Sequence, residues 1–181
     1  MVHLCRSFQA AVKGNPPQIE ASRLVARPAL WHDSLAVRIR DFLLQVYDAL
    51  PGRLPEPLRD HHWRVRWSLL QVYFEKTTVH YEVWVQRKAR RIEIGLHFEG
   101  EQEESYRWAQ VLAPRALEIQ AQLGPSVELE EWTRSWTRLH ETRSLAGDLT
   151  DELAQEIAER LARFIEVLEP ILAEERAGVA G

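Results

Sequence analysis

The chain contains a single cysteine, Cys5, so it has no partner for an internal disulfide and no cysteine-based zinc cage. A reducing, cytoplasmic location fits that scarcity. No stretch approaches the ~18 uncharged apolar residues of a membrane-spanning helix. The opening MVHLCRSFQAAVKGNPP lacks the continuous apolar run of a secretory signal. Membrane insertion and secretion are both argued against. The 8 glycines include no Gly-rich phosphate loop, no G-x-G-x-x-G and no G-x-S-x-G elbow, and H-E-x-x-H is missing. No cofactor is implied and no catalytic motif is recognised, so the reading leans away from an enzyme. Lysine is confined to Lys13, Lys76 and Lys88, Asn15 is the sole asparagine and Met1 the sole methionine. Codon bias in a GC-rich genome is the simplest cause.

What is present is the composition of a folded globular protein: 181 residues, 45% hydrophobic and 28% charged. The formal net charge of -4 argues against nucleic-acid binding along the whole surface. The charge is uneven, with 15 basic and 10 acidic residues up to position 100, and 8 basic and 17 acidic residues beyond it. Folding can bring the two halves together, or the asymmetry can mark a partner-binding region.

Residues 1–32 read as an extended N-terminal arm interrupted by Pro16, Pro17 and Pro28, and 33–181 as a single domain. From Asp33, taken as N-cap, Leu35, Ile39, Phe42, Leu43, Val46 and Leu50 form a helical stripe ended by Pro51-Gly52. His61 to Phe74 fits both periods, with Trp63 and Trp67 expected to pack, and is read as a strand or irregular edge. The clearest signal follows. Val79, Tyr81, Val83 and Val85, then Ile92, Ile94, Leu96 and Phe98, alternate at period two around a charged connection, Arg87-Lys88-Ala89-Arg90. Pairing Gln86 with Arg91 sets the whole apolar set face to face. A helix over 101–124, bent or divided at Pro114, two strands in SVELEEW and SWTRLHE, and a long acidic helix capped by Asp148 or Thr150 complete the chain.

The predicted fold is α+β, an antiparallel sheet of four to five strands covered on one face by two to three helices, in the order α-(β)-β-β-α-β-β-α. At the level of element order alone this resembles TATA-box-binding-like domains and secretion-chaperone-like proteins. The halves 77–123 and 126–172 share that order without a residue-by-residue repeat.

The other face of the hairpin carries the candidate chemistry. In the proposed register His80 faces His97, Glu82 faces Gly95 and Trp84 faces Glu93, while Glu99 pairs with Thr78. Opposed strand residues have Cβ atoms ~4.5–5.5 Å apart, so His80, Glu82, His97 and Glu99 form a candidate metal set. The plainer alternative is a solvated or covered face whose imidazoles make ordinary hydrogen bonds. Trp84 and Trp132, with Arg138, His80 and Arg64, suggest a mixed aromatic surface for a polypeptide or for a second copy of the chain. This non-catalytic interaction module is the first functional expectation and the metal site the second. A third places phosphate contacts on Arg87, Lys88, Arg90 and Arg91 at the hairpin tip. His61-His62 and His140-Glu141 are further candidates for ligands or acid-base groups, though neither spacing is diagnostic, and solvent contact suffices to explain His32, His61 and His62.

Overall fold

The alternating segments pair into one six-stranded antiparallel sheet in a computed structural model, which describes the backbone of residues 30–179 and the side chains of residues 38–178. Helix α1 (Leu30–Ala49) leads into a hairpin of β1 (His62–Arg66) and β2 (Leu69–Tyr73). Strands β3 (Val79–Gln86) and β4 (Arg91–Phe98) continue the meander. Helices α2 (Gln102–Leu112) and α3 (Ala116–Leu123) precede β5 (Glu128–Glu131), β6 (Thr137–Ser144) and the long α4 (Asp151–Val179). The strand order is β1-β2-β3-β4-β6-β5.

The α+β class and the expected element order hold, with two refinements in number. Six strands replace four or five because 61–74 is a hairpin in itself, turning at Trp67-Ser68 between the paired Arg66 and Leu69. A 3-10 turn over Ala113–Arg115 divides α2 from α3 at Pro114, where proline removes a backbone donor and clashes with the preceding turn. Asp33 lies inside α1 rather than at its cap, since the helix already begins at Leu30. Residues 1–29, with most of the expected arm and Cys5, lie outside the described residues. Thr150 caps α4, its hydroxyl accepting from the Leu153 amide at 3.2 Å.

The central register is the one the apolar pattern demands, with Val79↔Phe98, Tyr81↔Leu96, Val83↔Ile94, Val85↔Ile92 and Gln86↔Arg91. The apolar members of these pairs form one sheet face, buried beneath Phe42, Leu43 and Val46 of α1 and Ile157, Leu161, Phe164 and Leu168 of α4. Trp108 of α2 stacks on Phe98 at 5.8 Å. Full burial of each such side chain is worth about 1.5–3 kcal/mol, so a slip of one residue, which would turn this set outward, is strongly disfavoured. Trp63 and Trp67 do not join this core. Trp67 sits at the tip of the first hairpin and is 93% exposed, and Trp63, on the edge strand, is 40% exposed and stacked on Tyr47 at 4.0 Å.

Candidate metal centre

The register that buries one face of β3 and β4 fixes the residues of the other. His80 opposes His97, Glu82 opposes Gly95 and Trp84 opposes Glu93. The outer strands extend this row, with Gln71 of β2 beside Glu82 and with His140 and Arg138 of β6 beside Gly95 and His97. No helix is needed to close it. Trp132, in the loop after β5, lays its ring edge-on to His97 at 5.5 Å, meets Trp84 at 6.2 Å and stacks over the Arg138 guanidinium at 5.1 Å. Glu82, Glu93 and both central histidines are consequently buried, and His80 and His97 are 0% exposed. Solvent contact does not account for them.

Four of these residues converge. His80, Glu82, His97 and Glu99 each present a ligand atom within 4.8 Å of the others. A tetrahedral ion with bonds of ~2.1 Å needs ligand atoms ~3.4 Å apart, so shifts of about 1 Å close the set. Glu99 has room to supply them, being the one member that is not fully buried.

The hydrogen bonds around His80 determine its tautomer. Gln71 Oε1 accepts from Arg64 Nε at 2.7 Å, which turns its amide nitrogen toward His80 Nε2 at 2.9 Å and Glu82 Oε2 at 2.8 Å. His80 Nε2 therefore accepts, and the proton sits on Nδ1, which donates to the Thr77 carbonyl at 2.8 Å. A backbone carbonyl holding the far nitrogen while the near one offers its lone pair is the usual outer-shell arrangement of a histidine ligand.

His97 is held differently. Its Nε2 lies 3.5 Å from Glu93 Oε1 and its Nδ1 3.8 Å from Glu99 Oε1, and neither nitrogen makes a hydrogen bond. Nδ1 faces Glu99 of the four-residue set and Nε2 faces Glu93. Burial alone would lower the pKa of this imidazole, but the Glu93 and Glu99 carboxylates and the charge of Glu82 outweigh it and raise it to about 9. Burial would conversely raise the Glu82 carboxyl, and the two imidazoles with Gln71 bring it below its ordinary value. The cluster is a buried group of carboxylates and imidazoles that favours a cation, and a proton on His97 is the smallest that answers.

The neighbouring network already has its cation. Arg138 donates to Glu93 at 2.6 Å and to Glu130 at 2.5 Å, and this guanidinium holds Glu130 below the usual carboxylate range. His140 places Nε2 3.0 Å from Glu130 and Nδ1 3.7 Å from Glu93, without hydrogen-bond geometry. Burial and the Arg138 charge lower its pKa. The structure thus gathers His80, Glu82, His97 and Glu99, and sets Trp84, Trp132 and Arg138 against the same face. Arg87, Lys88, Arg90 and Arg91 stand apart at the β3–β4 tip. The sequence reading missed Gln71, because its strand was ambiguous, and Glu130; it set Glu93 opposite Trp84 and named His140, but could not bring them together, because the pairing of β6 with β4 joins distant segments. The signal that could have found the last pairing is Gly95. A Cβ there would lie 2.5 Å from His140 Cβ and 2.7 Å from the Leu139 carbonyl oxygen, so β6 approaches β4 where β4 has no side chain.

No family model matches the chain, and comparison with curated proteins and with solved structures finds no significant relative.

Proposed function

We propose that this protein binds a divalent transition-metal ion through His80, Glu82, His97 and Glu99. The observation that carries the reading is His97, a fully buried imidazole with no hydrogen bond that converges with His80 and two carboxylates. Two imidazoles and two carboxylates suit zinc, manganese or ferrous iron, and the imidazoles disfavour calcium and magnesium. On binding, the ion takes the place of the His97 proton and of the Gln71 hydrogen bond to His80, leaving Gln71 on Glu82. Four protein ligands fill a tetrahedral shell, so the ion ties β3 to β4 as a structural centre and needs no open position for a substrate. The alternative of a docking face for a polypeptide or a second copy through Trp84, Trp132, Arg138 and His80 receives less support, since His80 is sealed and Arg138 is 8% exposed.

Purification after growth with added zinc, manganese or iron, followed by elemental analysis, tests the reading. It expects about one ion per chain, and none in His97→Ala or Glu82→Ala. At an ion concentration of 100 times Kd the stabilisation is about 2.7 kcal/mol, which raises the unfolding midpoint of a chain this size by about 5–10 °C. A metal-free protein whose midpoint ignores all three ions would overturn it.

A further inference from the structure

Away from the metal centre, the two β-hairpins end side by side. The turn at Trp67-Ser68 lies against the end of β3, where Ser68 O accepts from the Val85 amide at 2.9 Å and Leu69 pairs with Trp84. The β3–β4 connection, residues 87–90, begins two residues further on. One end of the sheet therefore presents Arg66, Trp67, Arg87, Lys88, Arg90 and Arg91 together, all exposed except the half-buried Arg87.

Three observations distinguish this end. First, none of its five basic side chains forms an ion pair among the described residues; Arg90 and Arg91 instead donate to neutral oxygens of Ala146 and Gln86. Arg107, Arg115, Arg143, Arg160, Arg163 and Arg176, by contrast, are each paired with a glutamate, and Arg53, Arg59 and Arg64, which also lack an ion pair, are scattered elsewhere on neutral oxygens. Asp41, Asp148 and Asp151 share a cleft of about 350 Å³ with Arg87 without pairing to it. Second, Trp67 is almost wholly in solvent. Third, Trp67 (φ 53°) and Arg90 (φ 50°) are the only non-glycine residues with positive φ among the described residues, and each occupies one of these two tips. Left-handed backbone is costly for a bulky side chain, and folds concentrate such strain where a side chain must be presented.

We infer that this sheet end binds single-stranded nucleic acid, with the Trp67 indole stacking on a base and Arg66, Arg87, Lys88 and Arg90 taking the phosphates. An indole stacks on every base, whereas the bases of a duplex are already stacked on one another, which selects the single strand. Cations without internal partners supply the phosphate contacts. A bilayer is a poorer fit, because Trp67 is the one large apolar side chain at the two tips. An acidic peptide would leave the indole without a planar partner.

The test is fluorescence anisotropy of a labelled twenty-nucleotide oligothymidylate with the full chain, between 50 and 200 mM salt. Four phosphate contacts give a slope of log K against log salt of about -3, and neutralising Lys88 and Arg90 together as glutamines reduces it by about 1.4. Trp67→Ala weakens binding about 5- to 100-fold and leaves the slope unchanged, a split that bulk charge alone would not produce. Since Trp67 is 93% exposed, Trp67→Ala keeps the unfolding midpoint and Trp67→Gly, which relieves the left-handed backbone, keeps or raises it, which excludes misfolding as the cause. Absence of binding at 50 mM salt, wild-type affinity in Trp67→Ala, or a preference for phosphatidylserine vesicles or polyglutamate over the oligonucleotide would each overturn the inference.

Discussion

A buried imidazole facing carboxylates from both ring nitrogens couples stability to pH. His97 titrates at about 9 in the folded chain against 6.5 when unperturbed. Its raised pKa contributes stability that is complete below pH 6.5 and is lost as pH rises through 9, a change of about 3 kcal/mol. Glu82 and Glu93 act in the opposite sense. Their pKa values are held down from 4.5, so their contribution is present above that pH and is lost as it falls through the lowered values. Without metal, stability should be greatest between about pH 4.5 and 6.5 and decline toward 9. Urea unfolding with chelator at pH 6, 7.5 and 9 checks this, and His97→Gln should flatten the alkaline limb. A wild-type midpoint that climbs from pH 6 to 9 would show that the proton on His97 does not stabilise the fold.

Among the elements, legibility followed the length of the pattern. Strands β3 and β4 each alternate over eight residues, long enough for one register alone to pair every apolar side chain, so the neighbours His80, Glu82, His97 and Glu99 could be read before any coordinates. The stretch 61–74 could not, because β1 and β2 are five residues each and the turn between them has tryptophan where glycine or asparagine would announce it. The second half of the buried network was hidden for another reason. Alternation assigns faces within a strand and leaves open which distant strand lies alongside, so Arg138 and His140 could not be set beside His97 and Gly95. Gly95 enforces that approach. Gly95→Ala should cost about 1–3 kcal/mol by pressing β6 away from β4, and thermal unfolding should show it; an unchanged midpoint would mean that the two strands have slack at this point.

Over the whole molecule, the sheet divides two kinds of interior. One face is apolar under α1, α2 and α4, and the other is ionic and closed by Trp132 and its neighbours. The charge imbalance between the halves does not cancel through pairing across them. Seven glutamates of the acidic half hold arginines of that same half, as in Arg107–Glu175, Arg115–Glu174, Arg160–Glu141 and Arg163–Glu166. Lys76–Glu104 is one of the few pairs that cross. Much of the positive surplus of the first half is left at the hairpin tips, and the carboxylates of the sheet centre are left for a cation. Calorimetric titration of metal-free protein with zinc at pH 7.5, in buffers of different ionisation enthalpy, tests that second claim most directly. His97 is protonated at this pH, so a bound ion should displace its proton: one zinc per chain with about one proton released, and neither in His97→Ala. Absence of binding, or a heat that does not depend on the buffer, would contradict it.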